Sequence, residues 1–463
     1  MRILLFGTGK VYQACKHLFS RHKIVYLLDN DENKQGKYLD GVKIVSPCYG
    51  IRADYEAIFI LSVAMEEMKA QLLALGVDEG RIYSRREAYA CMTKEPVVYG
   101  NVSNLVREDH NLLLMLTHNM RTTGAEVVLL ESAKVLKKNG FELLVVTLED
   151  GPMRQNFLEA GIPVIIDVRV SVFRLTAIPW IKKFHPQVVF VNTVFMHHLF
   201  KCGTLKMPVI WWLHDSEALY QWGQCEGLND YYHDNIHVYA VSNLAKEPFK
   251  LRCPDWPVGL LPYGIESMEK SKSKTKKRGK LVFALIGAIE ERKGQDILFE
   301  AIDKLPCEDR RECEFWLIYQ PIDPTAVDFA DKMMKWATSL PEVRMMGQIP
   351  HEKMADVYEK ISILVCPSRS DTLPTVAAEA MQNGVPCIVS DGTGTAIYIE
   401  NFKNGFVCPK ENAEILAKRM MWCIHNKNKL PAMGRTAFET FQKYFSMEVF
   451  EHSLLKAIRV AEV

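Results

Sequence analysis

The sequence predicts an α/β protein in which two consecutive Rossmann-like halves, each a doubly wound parallel sheet, follow a smaller Rossmann-like α/β domain. Short apolar runs alternate with helical patterns along most of the chain, as expected for buried parallel strands joined by helices. The length of 463 residues exceeds what one hydrophobic core accommodates. A cation-rich stretch divides the larger region, which gives domains at residues 1–100, 108–268 and 281–463 with a linker at 269–280.

Residues 1–100 are predicted to form the small domain. The runs Arg2–Phe6 and Ile24–Leu28 predict its first two strands, and the Gly-Thr-Gly sequence at 7–9 predicts a phosphate-type turn. Asp29 has the position of a ribose-binding acid, but a dinucleotide fingerprint also needs glycine where Tyr12 stands. A nicotinamide cofactor site is therefore the less favoured interpretation of this domain.

The first half is predicted to open with a strand at Leu112–Leu116, a tight loop at Thr122–Glu126 and a helix at Val127–Lys138. Gly124 carries no side chain, so backbone N–H groups in this loop can approach a ligand closely. Further apolar runs predict strands at Phe141–Leu148, Val188–Val191, Val209–Leu213 and Val238–Val241.

His214 follows the apolar run Val209–Leu213 directly. Ligands of parallel sheets bind at the carboxyl ends of the strands, which gives this histidine a position suited to function. A single histidine after an apolar strand is nevertheless more often structural. Its role is therefore open on position alone.

The second half is predicted to begin with the strand Leu281–Ile286, which ends at Gly287. Arg292 and Lys293 follow in a loop, and a helical pattern comes next. Two interpretations are open: the cations bind an anionic ligand at the strand end, or they form a solvated charge pair. The strand before them and the helix after them favour the first.

The segment Ser370–Gly384 is the most informative part of the chain. It places Asp371 in a loop after an apolar strand and Glu379 on the helix that follows, which is predicted to begin near Pro374 and to end at Gly384. The free N–H groups and the positive dipole end of such a helix favour phosphate. Glu379 can accept hydrogen bonds from two vicinal hydroxyls, and Asp371 from another polar group. Together these groups suit a nucleotide sugar.

These motifs, in this order, resemble the retaining glycosyltransferases of family 4, in which seven residues separate two glutamates. Glu379 matches the second glutamate, and Asp371 stands at the first. The resemblance covers about three quarters of the chain and implies the GT-B fold, with residues 108–268 and 281–463 facing each other across a cleft. The chain departs from the family pattern at three further positions, namely Thr123 for Gly, Tyr263 for Asn and Ala288 for Arg.

The resemblance also implies roles for individual residues. In the family the first acid contacts the transferred sugar, the second contacts the ribose, and the lysine of the Lys-Gly pair contacts the diphosphate. Arg292 is expected to replace the arginine that Ala288 lacks. The implied catalytic residues are His214, Lys293 and Asp371, and the implied donor-binding residues are Gly124, Gly287, Arg292, Lys293, Asp371, Thr372, Leu373, Pro374 and Glu379.

The implied reaction is transfer of a sugar from a UDP- or GDP-sugar to a glycan, lipid-linked or protein-linked acceptor, with retention and with no required metal or cofactor. Bacterial surface polysaccharide or glycoconjugate assembly is the expected setting. One alternative is a non-catalytic sugar-nucleotide-binding or scaffold protein, which Asp371, Tyr263 and Ala288 would suit. The other is an NAD-dependent oxidoreductase that uses residues 1–100.

Charge and cysteine content indicate which partners and which cellular location to expect. Lysine and arginine number 57 against 56 acidic residues, so no general attraction to nucleic acid is expected. The 12 cysteines form no close metal-type pair and no signal-peptide pattern opens the chain, so a cytoplasmic location is expected.

The segment Lys270–Lys280 is expected to be a surface linker. It is either simply solvated or attracted to anionic lipid, at about 1 kcal/mol per cation near the surface. The second interpretation would place the protein peripherally at the inner face of the membrane. The last helix of the chain is expected to pack back on the preceding domain.

Overall fold

The computed structural model describes most of the chain, and its residues separate into two compact units. The described ranges are 2–20, 22–62, 64–85, 87, 96–107, 111–171, 181–201, 207–222, 225, 228–268, 279–319, 326–350 and 353–462. The first unit contains the described residues of Met1–Tyr99, Thr147–Glu149 and Ile165–Pro179, and the second contains the rest. Of the predicted linker at 269–280, all but the last two residues lie outside the described ranges.

The first unit is built on a six-stranded sheet with the order β3-β4-β2-β1-β5-β6. Its strands are β1 (Arg2–Phe6), β2 (Lys23–Leu28), β3 (Tyr38–Leu39), β4 (Val42–Val45), β5 (Ala57–Ile60) and β6 (Ile82–Ser84), and a short strand β7 (Val97–Tyr99) follows. Its described helices are Lys10–Cys15, Pro47–Gly50 and Met65–Ala74. The two strands predicted from apolar runs are confirmed.

Tyr12, which stands where a dinucleotide fingerprint needs glycine, has a structural role in the first unit. Its side chain is 1% exposed and packs in the hydrophobic core, and its hydroxyl donates to Asp40 at 2.9 Å. Asp29, at the end of β2, accepts hydrogen bonds from the Thr8 hydroxyl and from Lys34 Nζ, the latter at 3.2 Å. Both side chains are therefore used by contacts within the unit.

The first half of the second unit is a sheet with the order β14-β13-β12-β11-β8-β9. Its strands are β8 (Leu112–Thr117), β9 (Glu142–Thr147), β11 (Val188–Asn192), β12 (Val209–Leu213), β13 (Ile236–Ala240) and β14 (Val258–Leu260). The short strand β10 (Val164–Ile166) falls where the chain passes from the second unit to the first. Its described helices are Gly124–Lys138, Met153–Glu159, His198–Lys201, Glu217–Trp222 and Asn243–Arg252. The neighbouring strands β8–β11, β11–β12, β12–β13 and β13–β14 all pair in parallel. The carboxyl ends of these five strands therefore lie at one edge of the sheet.

The second half is a six-stranded parallel sheet with the order β17-β16-β15-β18-β19-β20. Its strands are β15 (Leu281–Ile286), β16 (Cys313–Ile318), β17 (Val343–Gly347), β18 (Ile363–Cys366), β19 (Cys387–Ser390) and β20 (Gly405–Cys408). Its helices are Gln295–Asp303, Cys307–Arg311, Val327–Thr338, Met354–Tyr358, Thr375–Gln382, Ala413–His425, Leu430–Tyr444 and Met447–Glu462. The chain therefore repeats the doubly wound pattern, as predicted.

The final helix, Met447–Glu462, packs against the first half of the second unit. The Phe450 ring stacks on Trp212 with centroids 5.8 Å apart, and Glu451 forms an ion pair with Lys138 at 3.1 Å. The N–H of Ile265 also bonds to the carbonyl of Phe445 at 2.9 Å. These contacts join the end of the chain to the first half.

Two helix boundaries differ from the predicted ones. The helix after β8 begins at Gly124, three residues before the predicted Val127, because the loop residues themselves adopt helical conformation. The other helix spans Thr375–Gln382 with Pro374 as its N-cap at φ −66° and ψ 120°. This ψ value is extended, so Pro374 precedes the first turn. Among the described residues, no helix combines the length and apolarity that crossing a bilayer requires.

Candidate functional site

The predicted two-acid segment lies at the carboxyl edge of the second-half sheet. β18 and β19 are parallel neighbours, so the loops after them meet. The N–H of Asp371 bonds to the carbonyl of Gly392 and the carbonyl of Asp371 accepts from the N–H of Gly394, both at 2.9 Å. These backbone bonds fix the loop 370–374, and Asp371 is only 8% exposed within it.

Asp371 binds Lys293 and Arg292, which precede it by 78 and 79 positions in the chain. Lys293 Nζ lies 2.6 Å from Asp371 Oδ2, and Arg292 Nη1 lies 3.8 Å from Asp371 Oδ1. The Lys293 side chain passes beside Gly287, where an added Cβ would lie 3.5 Å from Lys293 Cε. The structure thus brings Gly287, Arg292, Lys293 and Asp371 to one place.

The turn that carries these cations is seated against the end of β18. Gly294 has φ +72°, which favours glycine, and a Cβ there would lie 2.3 Å from the carbonyl oxygen of Pro367. Arg369 adds a bidentate ion pair with Asp296, at 2.9 and 2.7 Å, and a bond to Glu411 at 2.9 Å. Sequence reasoning missed Arg369, because its partners are distant in the chain and no motif marks it.

Glu379 lies one turn inside the helix Thr375–Gln382 and is half-buried. The hydroxyl of Tyr358 donates to its Oε2 at 2.8 Å. Tyr358 is 1% exposed, and burial raises the pKa of its hydroxyl well above 10, so it stays a donor. This bond orients the carboxylate, and sequence reasoning had not identified Tyr358.

The start of this helix offers backbone donors. Within the described part of the chain, no hydrogen-bond acceptor faces the N–H groups of Thr372 and Leu373. Pro374 has no N–H, and among the described residues the N–H groups of Thr375 and Val376 also lack a partner in the preceding turn, whereas the N–H of Ala377 bonds to the carbonyl of Pro374 at 3.2 Å. Free N–H groups next to Lys293 and Arg292 form a site suited to an anion.

The first half contributes its own loops at its carboxyl edge. Gly124 opens the helix Gly124–Lys138, and a Cβ added there would meet no atom within 4 Å. Packing within the protein therefore does not require glycine at this position. The hydroxyl of Thr123 donates to the buried carboxylate of Glu126, which closes the loop at Gly124.

His214 touches the loop 370–374 through its backbone. Its carbonyl accepts a hydrogen bond from Thr372 Oγ1 at 2.7 Å, and its ring packs on Trp212 with centroids 4.4 Å apart. The residue keeps some exposed surface, but its Nε2 atom is buried with no protein partner among the described residues. Burial lowers the pKa of the imidazole to about 3, so the ring is neutral at physiological pH.

Two buried acids of the first half were not assigned a role from the sequence. Glu126 is 0% exposed and Asp215 is 3% exposed. Burial raises the pKa of Glu126, and it raises the pKa of Asp215 to about 7 although Asp215 Oδ2 accepts the N–H of Val194 at 2.6 Å. Their positions after β8 and β12 were visible in the sequence, but burial depends on the neighbouring strands.

Comparison with known families fits this geometry. Residues 109–232 match the family described as Glycosyl-transferase family 4, and residues 266–440 match the family described as Glycosyl transferases group 1. Both are glycosyltransferase families, and their matches lie in the first and second halves of the second unit respectively. The second match includes Lys293, Asp371 and Glu379. Residues 1–83 match a separate family, described as C2185-like, N-terminal.

Two curated relatives are similar to part of this chain. An uncharacterized glycosyltransferase of Methanocaldococcus jannaschii is 28% identical over 168 residues, which cover 35% of this chain and 43% of the relative. TuaC of Bacillus subtilis, a putative teichuronic acid biosynthesis glycosyltransferase, is 27% identical over 218 residues, which cover 45% of this chain and 52% of TuaC. The chain thus spans about half the length of these relatives.

Solved glycosyltransferases share the fold. HepE (Alr3699) of Anabaena, crystallised in complex with UDP and glucose, matches with a TM-score of 0.63 and 17% identity over 76% of this chain and 100% of HepE. The apo lipopolysaccharide outer core galactosyltransferase WaaB matches with a TM-score of 0.60 and 14% identity over 76% of this chain and 99% of WaaB. The predicted GT-B fold is confirmed. The assignment of individual site residues and the domain boundaries stay predictions.

Proposed function

We propose that the protein is a glycosyltransferase that moves a sugar from a nucleotide-sugar donor to an acceptor with retention of anomeric configuration. The observation that supports this most is the Lys293–Asp371 ion pair at the strand ends, beside the free N–H groups of Thr372 and Leu373. Cations, oriented amides and a carboxylate within one loop cluster match the diphosphate and sugar hydroxyls of such a donor.

Each group then has a role in donor binding. Lys293, Arg292 and the N–H groups of the loop 370–374 hold the diphosphate. Glu379, oriented by Tyr358, accepts hydrogen bonds from the ribose diol, and Asp371 accepts one from the transferred sugar. Binding of the diphosphate draws Lys293 away from Asp371, which frees that carboxylate for the sugar.

The reaction is a substitution at the anomeric carbon. The bond from this carbon to the diphosphate oxygen breaks, a bond to the acceptor oxygen forms on the same face, and the departing diphosphate takes the acceptor proton. The protein stabilises the negative charge that develops on the diphosphate, which is an electrostatic form of catalysis. His214 is neutral, so it supplies a hydrogen bond near the reacting sugar without competing for the phosphate charge.

Comparison with relatives gives the first donors and acceptors to test. HepE was solved with UDP and with UDP-glucose, so UDP-sugars come first and GDP-sugars second. The name of TuaC supports a polysaccharide acceptor, and lipid-linked and protein acceptors follow. A bacterial cytoplasmic setting remains part of the proposal, as does contact of Lys270–Lys280 with anionic lipid, which sedimentation with anionic vesicles would test.

The decisive experiment incubates the protein with a panel of UDP- and GDP-sugars and glycan acceptors and measures release of nucleoside diphosphate. NMR of the product then reports the anomeric configuration. Inversion would overturn the retaining mechanism. No binding of any nucleotide sugar would overturn the proposed donor site.

The second candidate is a non-catalytic sugar-nucleotide-binding protein. The observation that favours it is the engagement of Asp371 by Lys293, since a carboxylate held by a cation is less available to a sugar. Tight binding of a nucleotide sugar without product, over the whole panel of acceptors, would support this candidate.

A further inference from the structure

We propose that Tyr263 is a positioning residue, which together with Ser242 holds the backbone of the loop 370–374 so that its free N–H groups face the donor diphosphate. The proposal deepens the proposed function and rests on it. It assigns a role to a tyrosine that stands where the family usually has asparagine. We call these side-chain contacts between the two halves the clasp.

The first contact of the clasp is made by Tyr263. Its hydroxyl donates to the carbonyl of Leu373, which is 110 residues away in the chain. The side chain is 3% exposed, so this bond is shielded from water. Burial raises the pKa of the hydroxyl well above 10, which keeps it a donor over the physiological range.

The second contact is made by Ser242, whose hydroxyl donates to the carbonyl of Thr372. Ser242 caps the helix Asn243–Arg252 by accepting the N–H of Ala245 at 3.3 Å, so its side chain is held from both sides. Thr372 Oγ1 adds a third contact through the carbonyl of His214. A rigid donor at a helix start fixes the position of the loop.

Close packing around this contact is independent support for the clasp. A Cβ added to Gly394 would lie 2.7 Å from Ser242 Oγ and would overlap the carbonyl oxygen of Thr372. Only glycine at position 394 lets the backbone come this close to Ser242, which lies 152 positions earlier in the chain. The backbone of the second half therefore meets Ser242 directly.

The clasp controls the N–H groups through peptide geometry. A trans peptide unit is planar, with its C=O and N–H pointing in opposite directions. The described residues contain no cis peptide. Because Ser242 fixes the carbonyl of Thr372, it also fixes the N–H of Leu373. Because Tyr263 fixes the carbonyl of Leu373, it sets the orientation of Pro374 and of the first helical turn after it. Binding a diphosphate then requires little reordering of the loop.

The test compares the full chain with Tyr263→Phe, which keeps the ring and loses the hydroxyl. Calorimetry measures binding of UDP, or of GDP if the wild type binds that diphosphate instead, and competition NMR measures the matching nucleoside. We expect the dissociation constant of the diphosphate to rise about tenfold, a typical consequence of losing one buried hydrogen-bond partner. The nucleoside constant should change less than twofold, because a nucleoside lacks the phosphates that the N–H groups bind.

Tyr239→Phe is the matched control, because the Tyr239 hydroxyl makes no hydrogen bond among the described residues and lies on β13 of the same half. This variant should bind as the wild type does. Ser242→Ala should reproduce the selective loss with the diphosphate.

The outcomes separate the two proposals. Equal diphosphate binding by wild type and Tyr263→Phe would overturn the clasp and leave the proposed function intact. Equal losses for diphosphate and nucleoside would show a merely structural role and also overturn it. No binding of UDP or GDP by the wild type would overturn the proposed function and the clasp together.

Discussion

Lys293 and Asp371 form an ion pair across two neighbouring strand ends, with Nζ 2.6 Å from Oδ2 and with both side chains less than one fifth exposed. In this arrangement the cation assigned to the diphosphate and the acid assigned to the sugar neutralise each other. A donor that supplies both a diphosphate and hydroxyl groups offers each residue a replacement partner. The pair therefore links diphosphate binding to sugar binding.

Replacing Lys293 with alanine should lower kcat/KM for the donor about tenfold to a hundredfold while the protein stays folded. A hydrogen bond to a charged group is worth about 1.5 to 3 kcal/mol, which gives this range of rates. Initial rates of nucleoside diphosphate release measure the effect. Lys304→Ala, at the exposed end of the helix Gln295–Asp303, is the control and should retain full activity. Normal rates for the Lys293 variant would remove it from the site.

Replacing Glu379 with alanine should cause a loss of similar size, and the loss should depend on the ribose hydroxyls. The wild type should bind UDP about tenfold more tightly than 2′,3′-dideoxy-UDP, because the diol bonds to the carboxylate. The Glu379 variant should bind both equally. Titration calorimetry with the two nucleotides makes the comparison. A variant that still prefers the diol would place the ribose elsewhere.

Replacing Tyr358 with phenylalanine should have an effect smaller than that of the Glu379 variant. It removes one bond that orients the carboxylate and leaves the charge in place. Its preference for the diol should therefore lie between those of the wild type and the alanine variant.

Replacing Asp215 with asparagine should change how stability depends on pH. Burial raises the pKa of the Asp215 carboxyl from 3.8 to about 7, so the folded protein keeps a proton that the unfolded chain releases between these values. The contribution of this group to stability is present below pH 4, declines as pH rises to about 7, and is constant above that. Relative to the asparagine variant, the wild type should lose stability between pH 5 and 7. Thermal unfolding across this range is the measurement, and parallel curves would contradict the buried neutral acid.

Replacing Asp29 with asparagine should leave nucleotide-sugar turnover unchanged. Asp29 is used within the first unit by Thr8 and Lys34, and Tyr12 occupies the place of a fingerprint glycine. Asp54→Asn, with a side chain 87% exposed, is the control for turnover.

Because Asp29 and Tyr12 are engaged in this way, the full chain should show no shift of its unfolding temperature with NAD⁺ or NADH. A clear shift with NADH would reopen the oxidoreductase alternative.

Strands and motif order were predictable from the sequence, and contacts between distant segments were not. β15 and β12 have the predicted bounds because a strand buried on both faces must be apolar along its whole length. The site residues Lys293 and Asp371 were found because each follows such a strand. The N-cap position of Pro374 was missed because its ψ depends on how the loop is anchored to Gly392 and Gly394.

The sequence by itself determined the alternation of strands and helices, the two-half organisation and the residues at the strand ends, since these follow from local periodicity and spacing. Only the tertiary structure decided which of those residues meet. The bond of Tyr263 to Leu373 and the burial of Asp215 arise where segments more than a hundred residues apart, or neighbouring strands, pack together. Local sequence patterns do not specify such contacts, because they depend on how whole elements fit against one another.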